Sequence, residues 1–415
     1  MDIRRNETHS DAVVHPAYQN WLGQQRRLYK ENYGKRLPVR RVRESGVYDQ
    51  WRLAQGVAAW LTRHCSDRQI SLCVTDGPSV SAWAFPQGPK EKESVIVVTR
   101  NGLLAIQRLS VLVAAAARGL RESSVAAPVP LRVLGLRSID ERTAVAIAQL
   151  VVTAATLFLL FHEAAHLFRG HLTVATDESD TALQILRASG PTLVRLAAPV
   201  GLVDLNHPKV YSRTREFDAD VQALYWTRLY LDHVDTALLG DALGRESRAV
   251  FCSMLAAQEG RRWVTLVAGL CFHAVFSAGA SQLSRLKDTS HPSRQERVEL
   301  ALGSDAAIAN LNVEQPAFLW ECVDFVSRMI CEDALYESPF LKEAALEVTA
   351  HQEEPLSVRV DAARVWLGLS LDEASAELIH QQRLALIESM RRWVPVLESR
   401  QIGSTMPVLP WWRVT

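Results

Sequence analysis

Between Tyr48 and Cys65 the apolar residues Trp51, Leu53, Val57, Trp60 and Leu61 recur at the spacing of one helical face, which predicts an amphipathic helix. Two short β-branched runs follow, ISLCVT (70–75) and SVIVVT (94–99), set apart by the turn-forming stretches DGPS and FPQGPKEKES; both read as strands. After Asn101-Gly102 the period turns helical and stays so, apart from the connector SSVAAPVPLRVLGL near 123–136. Residues 144–161 and 264–283 carry no formal charge and approach membrane-spanning length. Gln149, Thr153 and Thr156 interrupt the first, and His273 and Gln282 the second, so both are expected to be buried core helices. The block from about 314 onward keeps a helical period, carries no motif, and ends in MPVLPWWRVT. There is no internal repeat.

At 415 residues the chain exceeds the usual size of one hydrophobic core, so more than one part is expected. With 48% apolar and 22% charged residues the composition is that of an ordinary globular protein. Lys plus Arg equals Asp plus Glu at 46 each, which removes any whole-chain electrostatic case for nucleic acid or for an anionic membrane. Basic residues do cluster between Arg26 and Arg43, but without regular aromatic interleaving, so residues 1–45 read as a solvated arm. The six cysteines show no CxxC spacing and the first residues hold no apolar secretion signal; reduced thiols in a cytoplasmic protein are expected. The scattered tryptophans Trp51, Trp60, Trp83, Trp226, Trp263 and Trp320 are expected in the core, with His273 as a hydrogen-bonded core histidine and Cys271 as a small core hydrophobe. The absence of GxGxxG, Walker and GxSxG patterns disfavours nucleotide-driven and serine chemistry.

The candidate chemistry lies in LFLLFHEAAHLFRGH, residues 157–171. Helical residues four apart are separated by about 40° around the axis and about 6 Å along it, so His162 and His166 can aim at one point. A divalent ion held there, zinc by ligand type, would have Glu163 beside it to serve as general base toward a bound water. The bland alternative is a pair of core histidines and a surface glutamate. A catalytic zinc takes three protein ligands and leaves one position open. His171 follows His166 by five residues, one short of the metzincin spacing, and is rejected as the third ligand. Glu216 in REFDADVQAL is the better candidate, since Phe217, Val221 and Leu224 keep an apolar helical face there. Asp220, one turn later, could accept the free ring N–H of a ligand histidine, whereas Asp218 points elsewhere and is expected in solvent.

HExxH followed some fifty residues later by ExxAD resembles the gluzincin family that contains the heat-shock protease HtpX and the CaaX prenyl proteases; the phage-exclusion peptidase family Lit is similar. HEAAHLFRGH resembles that group's HExxHxxxGH, VTDGPSVSAWAFPQG followed by VIVVTRNGLL its edge strand and hairpin, and SHPSRQERVELAL its SHPPxxxRI segment. The four segments follow the family's order and cover about residues 74–302. The resemblance implies His162, His166 and Glu216 as zinc ligands, Glu163 as base and Asp220 behind a ligand. It also implies that His291 helps to hold an oxyanion, that Arg297 braces the site, and that Ala82, Trp83, Ala84 and Phe85 form the edge strand along which a peptide lies.

The fold expected is therefore α+β and mostly helical: a zincin-like catalytic core with a small antiparallel sheet beside the HExxH helix, plus a helical C-terminal extension. The division is a basic arm (1–45), a metallopeptidase domain (46–305) and the extension (306–415). The function expected is a zinc-dependent endopeptidase acting on a protein or peptide substrate, with a host-defence role implied by the Lit resemblance. The alternatives are a membrane-embedded quality-control protease and a non-enzymatic interaction protein stapled by a metal.

Overall fold

The structure, a computed structural model, describes residues 48–65, 68–75, 82–85, 92–121, 127–172, 208–233, 245–276, 291–308, 316–331, 355–367, 373–400 and 404–413. The basic arm lies outside them. The architecture is mostly helical with one small three-stranded sheet.

Helix α1 (Tyr48–Arg63) leads into strands β1 (Gln69–Thr75), β2 (Ala82–Phe85) and β3 (Glu93–Thr99). The sheet order is β1-β3-β2, with β3 parallel to β1 and antiparallel to β2, so the sheet is mixed rather than antiparallel as the sequence suggested. Burial accounts for the order. Every residue of β3 is buried, as befits a strand covered on both faces, and it takes the middle, between β1 and β2. The short β2 becomes an edge strand. Trp83 there is 40% exposed, and Trp320 is 48% exposed, so neither is the core tryptophan expected; Trp226 and Trp263 are fully buried.

Thr99 ends β3 and caps α2 (Arg100–Arg118), its hydroxyl accepting from the Gly102 N–H at 3.0 Å. After α3 (Val129–Leu134), Asp140 caps the long α4 (Glu141–Phe168) by accepting from the Thr143 N–H at 2.8 Å. α4 is apolar on nearly all sides because it is the central helix: α1, α2, the sheet, α5 (Pro208–His233), α6 (Arg245–Ala256) and α7 (Gln258–Phe276) pack around it. Among the described residues it is the one helix long and apolar enough to cross a membrane, and 83% of its most apolar window is buried. Gly269 on α7 lets three helices meet: a Cβ there would come within 3.0 Å of Leu224 on α5 and 3.4 Å of Phe158 on α4.

Helices α8 (Arg294–Ile308), α9 (Pro316–Cys331), α10 (Leu356–Leu367) and α11 (Glu373–Arg400) follow among the described residues, with a 3-10 turn at Trp411–Arg413. The boundary drawn at 306 does not mark a break in the core. Phe318, Cys322, Val323, Phe325 and Met329 of α9 belong to the same apolar cluster as α4. A second cluster joins Val210, Phe217 and Val221 of α5 to Leu386, Met390 and Trp393 of α11 and to Trp411 and Trp412.

Candidate metal centre

The end of α4 is buried, so its periodicity carries His162, Glu163 and His166 into the interior. α5 crosses it and delivers Glu216. The Nε2 atoms of His162 and His166 lie 3.2 Å apart, and each lies 3.6 Å from an oxygen of Glu216. Donors arranged tetrahedrally around an ion at about 2.0–2.1 Å stand roughly 3.3–3.4 Å from one another. The three residues can therefore hold a metal ion, and among the described residues the converging group has these three members.

The electrostatics favour a cation at that point. Burial alone would push the Glu216 carboxyl up, but His162, His166 and Arg297 outweigh it and hold the group well below the usual carboxylate range. Burial would likewise lower His162, yet Asp220 and Glu216 raise it to about 10. Burial holds His166 well below the ordinary imidazole value. The neighbouring carboxylates thus favour positive charge at His162. Burial pushes Glu163 up to about 7, against the opposing effect of His162.

Both histidines are oriented from behind. His162 Nδ1 lies 2.8 Å from Asp220 Oδ1. His166 Nδ1 lies 3.1 Å from His171 Nδ1, and His171 Nε2 lies 2.9 Å from Asp218 Oδ2. His171 reaches this position because α4 ends at Phe168 and Gly170 turns the chain with φ +71°, a left-handed conformation that suits glycine. It meets His166 through Nδ1, whereas Nε2 faces Glu216.

Arg297 on α8 donates to Glu216 Oε2 at 2.9 Å and to Asp220 Oδ1 at 3.2 Å, which ties Glu216 to the carboxylate behind His162. His291 lies 3.8 Å from Glu216 through Nε2 and is 64% exposed, at the solvent side of the cluster. β2, carrying Ala82 to Phe85, packs with β3 on α4.

Some groups went unnoticed in the sequence. The fully buried Arg213, one turn before Glu216, donates to the His291 carbonyl at 3.0 Å and to Glu296 at 2.6 Å. Glu296 in turn accepts from the Ser293 N–H at 2.6 Å while Ser293 Oγ accepts from the Glu296 N–H at 3.3 Å, a capping box that starts α8 just after His291. The Ser-x-x-Glu spacing was the available signal. Asp218 needs correction: it is 0% exposed rather than solvated, accepting from Arg169 Nε at 3.0 Å, His171, Trp411 Nε1 at 2.7 Å and Gln222 Nε2 at 3.3 Å. The helical wheel set it about 200° from Glu216, which is right; the face it points to is covered by the tail. His273 is buried as expected, but among the described residues neither ring nitrogen has a hydrogen-bond partner, and burial pushes its pKa down to about 4. Cys271 behaves as a core residue, its thiol pushed up to about 12 by burial.

Comparison with protein families, with curated proteins and with solved structures finds no match to this chain.

Proposed function

We propose that the chain is a zinc-dependent endopeptidase of the gluzincin type, acting on a protein or peptide substrate. The observation that carries this is the convergence of His162, His166 and Glu216 at tetrahedral spacings, with Glu163 buried beside the first ligand. Two imidazoles and one carboxylate are the donor set of catalytic rather than structural zinc, which takes a fourth protein ligand. Zinc bound there would supply Lewis acidity and a water acidic enough to ionise near neutral pH.

The chain's own residues supply the rest. Glu163 takes the proton of the attacking water and returns it to the leaving amine. The exposed His291 donates a hydrogen bond to the developing oxyanion, with its backbone held by Arg213. Arg297 keeps Glu216 ionised and aimed. The edge strand β2 offers main-chain hydrogen bonds that would keep an extended substrate in register. Glu163→Gln is expected to retain zinc and to lower cleavage by about 100-fold or more. New protein termini are counted in cells producing either form, beside metal analysis of both proteins; equal cleavage would remove Glu163 from its role.

A further inference from the structure

Residues 407–411 run along α5 in step with it. Pro407 O accepts from Trp226 Nε1 at 2.7 Å; Leu409 exchanges two bonds with Gln222, at 2.8 and 3.0 Å; Trp411 Nε1 donates to Asp218 at 2.7 Å. Every second residue of the tail thus meets every fourth residue of the helix. Four helical residues rise about 6 Å and two residues of extended, proline-rich chain about 6.2 Å, so the two repeats stay matched over three contacts. Pro407 and Pro410 favour the extended form by fixing their own φ and restricting the residues before them. The far end of the tail is pinned as well, by the Cys65–Ser404 bridge and by Thr405 N–H donating to the His64 carbonyl at 2.9 Å.

The last of these contacts falls on the group that orients a ligand. His166 offers Nε2 toward Glu216, so its Nδ1 carries the proton and donates to His171 Nδ1. His171 must then hold its own proton on Nε2 and donate it to Asp218. One protonation pattern satisfies the path, provided that Asp218 stays ionised and fixed. Trp411 on one of its oxygens and Arg169 on the other hold it so.

We infer that the tail is a working part of the metal centre: Trp411 is a positioning residue that, through Asp218 and His171, sets the tautomer and aim of His166. The inference rests on the zinc reading and deepens it. Trp411→Phe removes the N–H while keeping a ring to pack edge-on against Phe217, whose centroid is 4.5 Å away. In competition with a chelator, the full-length Trp411→Phe chain is expected to bind zinc about 10-fold more weakly than wild type, the lower end of the range for groups behind a ligand. In the side-chain 15N spectrum of the metal-free chain, wild-type His171 should show one neutral tautomer, with its proton on Nε2; in the variant it should show a mixture, a change that mere packing would not produce. Wild-type affinity together with wild-type tautomers in the variant would overturn the inference alone, provided that zinc binding still depends on His162 and Glu216. A wild-type chain that binds no zinc would overturn the metal centre as well. Should the variant fail to fold, the indole 15N–H signal of Trp411 in wild type takes its place: it is expected to shift and saturate at one equivalent of zinc, and a signal unmoved by zinc would refute the path.

Discussion

His162 and His166 leave the same helix four residues apart, yet the polar groups behind them differ in kind. His162 meets a carboxylate directly, and that carboxylate shares Arg297 with the third ligand, so the whole arm is built from α4, α5 and α8 within one turn of Glu216. His166 meets a second imidazole first, and the carboxylate beyond it is caged by donors from the end of α4, from α5 and from the tail. Behind one ring stands a carboxylate at close range, and behind the other a second imidazole that relays to one. The direct arm depends mainly on charge and the relayed arm mainly on placement.

The largest effect is expected on the relayed arm's stability. Asp218→Asn leaves Arg169 buried without its charge partner and should cost about 3 kcal/mol at neutral pH, read by chemical denaturation of metal-free protein. Burial by itself would raise the Asp218 carboxyl, but Arg169 and His171 hold it well below the usual range. Its stabilisation is therefore present above the unfolded value, near pH 4, and lost as pH falls toward the folded value. The gap between wild type and Asp218→Asn should accordingly close on acidification below about pH 4; a gap that widened there would contradict the cage.

Asp220→Asn comes next, with zinc affinity falling by nearly 100-fold because the orienting charge behind His162 is removed. His171→Asn should cost about 10-fold, since a neutral group is replaced by a neutral group at the same place. Equal losses in these two variants would erase the distinction between the arms. Smallest is Gly170→Ala, about 1 kcal/mol in thermal or denaturant unfolding, the penalty for a side chain at φ +71°. A chain indifferent to that change would mean that the turn delivering His171 is not held as described.

The direct arm was legible in the sequence and the relayed arm was not, for a physical reason. His162 with His166, and Glu216 with Asp220, are pairs four residues apart on helices, so spacing alone states their geometry. Their meeting needed only one long-range pairing, and the acidic HExxH partner supplied it. The helical majority was equally plain from periodicity. Asp218 lies on the opposite face of the same helix, and nothing local distinguishes a face open to water from one covered by residues 181 to 193 positions away. Residues 407–411 carry no motif, and what marks them out is those distant contacts. The strands were also visible, but their order was not: β3 takes the middle because both of its faces are covered, a property of the assembled layers.

Trp411 and Asp218 stand 193 positions apart along the chain. Synthesis delivers both imidazoles and Glu216 long before it delivers the indole, so a nascent polypeptide on the ribosome carries the three groups that could hold an ion while one flank of Asp218 is still open. The order of translation thus separates the acquisition of the ligands from the closing of their surroundings.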